Sequence, residues 1–317
     1  MLLGAHVARL HAPAEGGAAL SIVGHLEAAA AEAAREGVAL RAAQIFVTGP
    51  RDRASRLKAG DAAALAAFAA ASGTVLVAHS SYANSNPWRG NPIAAAGIRD
   101  ELALCAAAGI SRLVCHLPHS GPPAWVLRTL PRLIAAPAAP AAPAPPAGGA
   151  AAEPPVRLYL EHVSAKGSSF DTAAKVGRLF RGIRRFDPEL RHFGFCLDTA
   201  HIWGCGADIS SYELAEAWLN GLEALGAVLP PDRVMIHLND SVSPRGSGRD
   251  EHAGLLEGAI WAGFRGRPQD SGAAAFADYA RRNGTVVILE RRPAEKLPAD
   301  YRTLLGLDPD LAPRAAR

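Results

Sequence analysis

Short apolar runs alternate with longer helical windows along most of the chain. The runs lack polar alternation, which is typical of parallel strands that are buried on both faces. Eight runs occur, at Leu2–Val7, Ala43–Val47, Thr74–His79, Arg112–His116, Val156–Glu161, His192–Asp198, Arg233–His237 and Thr285–Glu290. Helical windows lie between them at Ser21–Glu36, Ala62–Ala71, Ile93–Ala108, Asp171–Arg185, Ser211–Leu225 and Ala273–Arg282. Eight such units in 317 residues predict an α/β fold, a (β/α)8 TIM barrel, rather than an open sheet.

One segment departs from this pattern. Residues 135–155 read AAPAAPAAPAPPAGGAAAEPP, where proline blocks helix formation and alanine and glycine bury too little area to offset ordering. We expect a disordered or polyproline-like insert, not a linker between two domains, because the pattern is the same on both sides. The prediction is therefore one domain over residues 1–317, with a short C-terminal tail after about residue 293. The insert should leave the barrel opposite the carboxyl ends of the strands and be catalytically silent.

Ionisable residues close six of the eight runs. An ionisable group that directly follows several apolar residues is costly if it stays buried and unpaired. The carboxyl ends of barrel strands meet at one rim, so these six side chains should converge there. Converging carboxylates raise each other's pKa unless a cation lies among them, and imidazole with carboxylate is the ligand mixture of zinc, manganese and iron(II). The six are His79, His116, Glu161, Asp198, His237 and Glu290.

Three further residues extend this set. His201 follows Asp198 by three positions, and Asp250 and His252 lie two apart after the seventh strand. Alternate side chains of an extended loop share a face, so Asp250 and His252 can reach one ion. Taken alone, a residue of this kind is more often a hydrogen-bonded histidine of the core, an acid that caps a helix or part of a solvated loop. The six strand ends taken together favour a metal centre.

Composition excludes several classes of protein. Lys+Arg total 33 against 30 for Asp+Glu, and this net charge of +3 permits an anionic partner without arguing for one. The N-terminus lacks the regions of a signal peptide, and no apolar run is long enough to span a membrane. The four cysteines form no C-x-x-C pair, which indicates reduced, mostly buried thiols. We therefore expect a soluble intracellular protein of the cytoplasm or nucleus.

The motifs at the strand ends resemble those of the endonuclease IV family, the zinc-dependent apurinic/apyrimidinic endonucleases built on a TIM barrel. They occur in the family's order and cover most of the chain. Leu256 stands where the family usually has glycine, and the string after His116 makes His119 a second candidate ligand, although the strand end favours His116. The matching strings are GAHV at Gly4–Val7, H-x-S-Y at His79–Tyr82, LDTAH at Leu197–His201, HLND at His237–Asp240, DEH at Asp250–His252, LLEG at Leu255–Gly258 and ILE at Ile288–Glu290.

The resemblance implies three Zn2+ ions per chain, with Mn2+ possible at one position. Glu161 bridges the first and second ions in this assignment and is the expected catalytic residue. The first ion would be bound by His79, His116 and Glu161, the second by Glu161, Asp198, His237 and Glu290, and the third by His201, Asp250 and His252.

The resemblance also implies the activity and the partner. The expected reaction is hydrolysis of the phosphodiester 5′ to an abasic site in double-stranded DNA, leaving a 3′-hydroxyl and a 5′-deoxyribose phosphate. Arg51 and Arg53 in the loop after the second strand, and Tyr82 after the third, should read the DNA. Of these, Arg51 and Tyr82 match family positions that enter the duplex. We expect a monomer.

Two other functions stay open from the residues alone. A sugar isomerase or epimerase on the same barrel needs one or two metals held by a set such as Glu161, Asp198, His237 and Glu290. The surplus of histidines, together with the pair Asp250 and His252, has no role in a one-metal isomerase. A non-catalytic DNA-damage binding protein is the second alternative, and the complete set of ligand types argues against it.

Overall fold

The computed structural model describes residues 1–7, 20–134, 155–165, 167–291 and 293–311. Ten strands occur in the described residues. They are β1 (Leu2–His6), β2 (Ala42–Ile45), β3 (Val75–His79), β4 (Arg112–His116), β5 (Arg157–Glu161), β6 (Phe193–Asp198), β7 (Val234–His237), β8 (Asp240–Ser241), β9 (His252–Ala253) and β10 (Val286–Leu289). Eight of these pair in parallel and close into a barrel in the order β1, β10, β7, β6, β5, β4, β3, β2, with β2 returning to β1. The predicted TIM barrel is confirmed, and β8 and β9 form a separate antiparallel pair.

Helices follow the barrel strands and pack around the outside. Each of the six predicted windows contains a helix, with bounds within two residues of the prediction. Side chains at the helix N-caps, such as Ser21, Asn91 and Ser271, accept backbone N–H bonds that would otherwise be unpaired. The helices are α1 (Ile22–Arg35), α2 (Asp61–Ser72), α3 (Pro92–Ala107), α4 (Pro123–Ile134), α5 (Ala173–Ile183), α6 (Thr199–Cys205), α7 (Tyr212–Glu223), α8 (Gly272–Asn283) and α9 (Leu297–Leu307).

The C-terminal residues form more than a tail. Helix α9 buries Leu297, Tyr301 and Leu304 in the main hydrophobic core. Its Asp300 carboxylate accepts a hydrogen bond of 2.8 Å from the backbone N–H of Leu255. Through this hydrogen bond, α9 contacts the segment between β9 and α8. The sequence analysis missed this helix.

The barrel interior is filled by inward-facing side chains and is not a pore. Tyr159 is its largest member, and Gly194 on the neighbouring strand lacks the Cβ that would overlap the tyrosine ring. Gly4 on β1 likewise allows close approach to the backbone of Ala42 on β2. Such complementary small and large positions let the strands close around a packed core.

The predicted insert at residues 135–155 lies outside the described residues except for Pro155. Helix α4 ends at Ile134 and β5 begins at Arg157, so the described residues that flank the insert lie at the amino-terminal ends of the strands. Across the described ranges, no helix combines the length and apolar character needed to cross a membrane. The four cysteines are free thiols, and three of them are buried.

Candidate metal centre

The nine candidate ligands lie together at the carboxyl ends of the strands. Glu161, at the end of β5, is at the centre of this group and is almost fully buried. Its Oε2 lies 3.2 Å from His79 Nε2 and 3.1 Å from His116 Nε2. Its Oε1 lies 3.0 Å from His237 Nδ1 and 3.5 Å from His201 Nδ1. The two oxygens of one carboxylate therefore face histidines from opposite sides of the barrel mouth.

A second group of ligand atoms lies on the other side of Glu161. His237 Nδ1 is 3.3 Å from Glu290 Oε2 and 3.9 Å from Asp198 Oδ2. One donor atom from each of Glu161, Asp198, His237 and Glu290 lies within 4.8 Å of the others, which is close enough for one ion to be held among them. His79, His116 and Glu161 satisfy the same distance criterion as a separate group.

The third group lies nearer to solvent. Asp250 Oδ1 is 3.2 Å from His201 Nε2 and 2.9 Å from His252 Nε2, and the Asp250 side chain is 44% exposed. Asp198 also belongs to this region, because it forms a candidate group with His201 and His252. The structure therefore adds Asp198 to the donors near the predicted third ion.

Local sequence explains how Asp198 and His201 meet. Asp198 ends β6 and is also the N-cap of the short helix α6, where its Oδ1 accepts the backbone N–H of His201 at 3.0 Å. The cap fixes the start of the helix, which brings the side chain of His201 beside the same carboxylate. The Asp-Thr-Ala-His string is thus a cap and a pair of candidate ligands at once.

Three histidines each use one ring nitrogen to donate to a backbone carbonyl. His79 Nδ1 bonds Ser80 O at 2.8 Å, His201 Nδ1 bonds His162 O at 2.7 Å, and His252 Nδ1 bonds Glu290 O at 3.2 Å. A carbonyl can only accept, so each of these nitrogens carries a proton, and in the neutral ring the Nε2 atom keeps a lone pair for a metal. Every one of these Nε2 atoms is turned towards the carboxylates, as expected for metal-ligating histidines.

The donor set suits cations. Buried His252 Nε2 makes no hydrogen bond, although it lies 2.9 Å from Asp250 Oδ1 and 3.8 Å from Asp198 Oδ2. A nitrogen lone pair among carboxylate oxygens is the arrangement that zinc and similar ions bind. The residues present therefore fit divalent metal ions.

The pKa shifts in the site reflect strong interactions between buried carboxylates and imidazoles. Burial by itself would raise the pKa of Glu161, yet the imidazoles of His237 and His116 hold it well below its usual range. Burial would lower the pKa of His201, but the carboxylates of Asp198 and Asp250 raise it well above its usual value. In the metal-free chain, protonated imidazoles supply the charge that bound cations would otherwise provide.

The structure favours His116 over His119 as a ligand. His116 ends β4, its Nε2 lies 3.1 Å from Glu161 Oε2, and its ring centroid lies 5.0 Å from that of His79. His119 lies three residues further on and is exposed. The strand end therefore places His116, and not His119, among the candidate donors.

The predicted DNA-reading residues lie on two loops that are joined to each other. Arg51 is exposed, and Tyr82 is 38% exposed with its ring 5.6 Å from that of His79 and 5.7 Å from that of His116. The backbone N–H of Tyr82 bonds Pro50 O at 2.9 Å. Arg53 instead donates to Asn84 Oδ1 at 2.8 Å and to the carbonyl of Ala83. Arg53 therefore holds the Tyr82 loop, a structural contact that the sequence analysis did not anticipate.

Buried polar residues that the sequence analysis missed support the candidate ligands. Asn239 donates to Asp198 Oδ2 at 2.7 Å and to Glu290 Oε2 at 3.3 Å, and its position after the seventh strand was the available signal. Glu101 on α3 accepts from Thr48 Oγ1, Ser80 Oγ and Ser81 N, and so joins the loops after β2 and β3. Gln44 contacts two candidate ligands at once.

Comparison with known proteins finds relatives of similar length. The chain is 34% identical over 276 residues to a protein named probable AP endonuclease from African swine fever virus, covering 84% of this chain and 86% of the relative. The solved structure described as AsfvAP:AG matches with a TM-score of 0.83 and 31% identity, covering 96% of this chain and 98% of that one. The structure of endonuclease IV from Thermus thermophilus matches with a TM-score of 0.68 and 26% identity, covering 98% and 100%.

A closed (β/α)8 barrel with histidines and carboxylates gathered at the carboxyl ends of its strands defines a TIM-barrel enzyme with a metal-binding site. The family model described as xylose isomerase-like TIM barrel matches residues 28–275. The chain belongs to the xylose isomerase-like TIM barrel family and, within it, to the endonuclease IV-type enzymes.

Proposed function

We propose that this protein is a metal-dependent DNA repair endonuclease that cleaves double-stranded DNA 5′ to abasic sites, leaving a 3′-hydroxyl and a 5′-deoxyribose phosphate. The observation that carries the proposal is the gathering of five histidines and three further carboxylates around Glu161 at one end of the barrel. Relatives named AP endonuclease and endonuclease IV support it.

The donor groups divide among three ions, for which we propose zinc. Glu161 belongs to two groups, because its two oxygens face different sets of histidines. The first ion is assigned to His79, His116 and Glu161, the second to Glu161, Asp198, His237 and Glu290, and the third to His201, Asp250 and His252, with Asp198 close by.

The bound ions would supply Lewis acidity towards a phosphodiester, which is the chemistry that multi-metal hydrolase sites contribute. The chain's own residues prepare the site for them. Glu161 holds negative charge at the centre, since its pKa stays well below its usual range. The Asn239 amide donates to both Asp198 and Glu290, which orients these two carboxylates. No serine or cysteine is required as a nucleophile.

Two rim loops would bind the DNA. Arg51 is exposed and would bind a backbone phosphate. Tyr82 lies beside the rings of His79 and His116, next to the proposed first ion. An abasic nucleotide lacks a stacked base and therefore leaves the duplex at low cost. We propose that such a nucleotide passes Tyr82 on its way to the metal centre.

The sugar isomerase remains the competing function on this barrel. The group Glu161, Asp198, His237 and Glu290 would be enough for it. The five other donors lie against these same acids and would be left without a role. Elemental analysis of freshly purified protein separates the two functions, because the nuclease requires about three metal ions per chain by the assignment above and the isomerase one or two.

The decisive experiment uses zinc-loaded protein and a duplex with one tetrahydrofuran abasic analogue in a labelled strand. We expect a single cut 5′ to the analogue and a product that a DNA polymerase extends, which requires a 3′-hydroxyl. An otherwise identical duplex without the analogue is the substrate control, and Glu161→Gln is the protein control. An uncut abasic duplex in the presence of zinc would overturn the proposal.

A further inference from the structure

Gln44 is a fully buried amide beneath the metal centre. It lies on β2, which reads AAQI, so it is the one polar side chain of that strand. Its Oε1 lies 2.9 Å from His237 Nε2, and its Nε2 lies 2.7 Å from Glu290 Oε1 and 3.1 Å from His6 Nδ1. A buried amide is expensive unless it is hydrogen-bonded, and here both ends of the amide are paired.

The chemistry of the partners fixes the direction of each of these hydrogen bonds. An ionised Glu290 can only accept, so the Gln44 NH2 group must face it and the Gln44 carbonyl must face His237. A carbonyl accepts in turn, so His237 must carry its proton on Nε2. The lone pair of a neutral His237 then lies on Nδ1, the nitrogen that is 3.0 Å from Glu161 and 3.3 Å from Glu290.

His6 on β1 completes the arrangement. Its Nδ1 lies within hydrogen-bond distance of the Gln44 NH2 group, which has a second proton to donate. One amide thus connects the ends of β1, β2, β7 and β10 below the carboxylates. A residue in this position cannot turn over without breaking bonds to both Glu290 and His237.

We propose that Gln44 is a positioning residue for the metal centre, which sets the tautomer of His237 and the orientation of Glu290 so that both present donor atoms to the same ion. The inference rests on the proposed metal function and assigns a role to a residue outside the set of nine ligands. Hydrogen-bond partners of metal ligands typically change metal affinity about 10- to 100-fold when they are removed.

Two substitutions test the proposal. Gln44→Met keeps the length of the side chain and removes both polar groups, whereas Gln44→Asn keeps the amide on a shorter stem that cannot reach both partners. Asp187→Asn is the matched control, because Asp187 is also buried and hydrogen-bonded but accepts from the backbone of Arg191 and His192 at the amino-terminal end of β6. Zinc affinity for each ion is measured by chelator competition, with circular dichroism to verify folding.

We expect Gln44→Met and Gln44→Asn to bind one ion per chain about 10- to 100-fold more weakly than wild type. The other ions, and all the ions of Asp187→Asn, should keep their affinity. In nitrogen-15 NMR of the zinc-loaded wild type, the His237 Nε2–H signal should be protected from exchange, and the protection should disappear in Gln44→Met. A purely structural Gln44 would lower stability without selecting one ion or changing this signal.

The outcomes separate this inference from the proposed function. Wild-type protein that binds no zinc would reject the metal centre itself. Wild type that binds three ions while both Gln44 variants keep the affinity of every ion would overturn the role of Gln44 and leave the endonuclease proposal standing. If Gln44→Met does not fold, the shorter amide of Gln44→Asn decides the result alone.

Discussion

The inner and outer parts of the candidate site are built in different ways. Glu161, Asp198 and His237 are the last residues of barrel strands and are 1% exposed or less. Asp250 lies in the loop between β8 and β9 and is 44% exposed, and His252 is the first residue of β9. Closing the barrel is sufficient to place the inner ligands, whereas the outer pair depends on the conformation of a loop.

Anchors outside the site hold that loop. The carboxylate of Asp240 accepts backbone N–H groups from Ser241, Gly258 and Ile260 at 2.8–3.1 Å. Asp300 on α9 accepts the N–H of Leu255 at 2.8 Å. Contacts from Asp240 and from Asp300 therefore fix the loop. Substitutions that remove these contacts should affect Asp250 and His252 before the inner ligands.

The largest expected effect comes from Glu161→Gln, which removes the shared carboxylate of the inner site. We expect cleavage of the abasic duplex to fall at least about 1,000-fold, because two ions lose a ligand and catalysis by metals depends on their coordination. Single-turnover cleavage and metal content are measured together. Activity within about tenfold of wild type would make Glu161 a structural residue only.

Asp250→Asn removes a ligand from the outer pair alone. The variant should lose one ion per chain and keep the inner ions, and cleavage should fall about 100-fold. Metal analysis after dialysis and cleavage under saturating zinc measure the two effects. Loss of all the ions in Asp250→Asn would contradict the division into inner and outer parts.

Gly258→Ala tests the loop anchors without touching a ligand. An added Cβ would overlap Ser241 O and the Asp240 carboxylate, so the loop must shift, at a cost of about 1–3 kcal/mol in the free energy of unfolding. The affinity for the outer ion should fall, while that for the inner ions stays unchanged. Gly263→Ala is the control, because a Cβ there meets no atom within 4 Å. Equal metal affinities in the two variants would show that the anchor is dispensable.

The metal-free protein should lose stability as the pH rises. Burial opposes the charge on His252, but the carboxylates of Asp250, Asp198 and Glu290 raise its pKa to about 9. A histidine whose folded pKa lies above the unfolded value of about 6.5 stabilises the fold fully below pH 6.5, and this contribution is lost as the pH rises towards 9.

Urea unfolding in the presence of a chelator measures this pH effect. The free energy of unfolding should be about 2–3 kcal/mol lower at pH 9 than at pH 6. Zinc-loaded protein is the comparison: metal ligation requires unprotonated histidines, so its free energy of unfolding should not fall between pH 6 and pH 9. A metal-free protein that is equally stable at both pH values would show that protons do not occupy the cation positions.

Deleting residues 136–151 has the smallest expected effect. The chain leaves α4 and enters β5 at the amino-terminal ends of the strands, opposite the candidate ligands. Cleavage rate and metal content should stay within about twofold of wild type, since functional groups of TIM barrels lie at the carboxyl ends. A large loss of activity would mean that the insert contacts the substrate.

The sequence predicts the inner site better than the outer one. An ionisable residue that ends an apolar run, such as His79 or Asp198, is conspicuous because burying its charge requires a partner. Gln44 lies in the same kind of run, but a neutral amide gives no comparable signal, and its partners come from strands about 190 and 250 residues away in sequence.

Contacts that depend on loop conformation cannot be predicted from the pattern of apolar runs. Asp300 accepts from Leu255, 45 positions earlier, and nothing in the residues near Asp300 indicates this partner. Leu256, at the position where the resemblance leads one to expect glycine, adopts a left-handed backbone with φ of 63°, a conformation that glycine reaches more readily. The helix α9 was missed because nothing in the eight-unit pattern requires it.

The strand order of the barrel also sets when the proposed metal sites can form. Glu290 follows β10, the last barrel strand to be synthesised, and β10 must pair with β1, the first. A ribosome-bound nascent chain that lacks β10 has His79, His116 and Glu161 but no complete second site. On the proposed assignment, uptake of the second ion follows translation of nearly the entire chain, and it can serve as a kinetic marker for closure of the barrel.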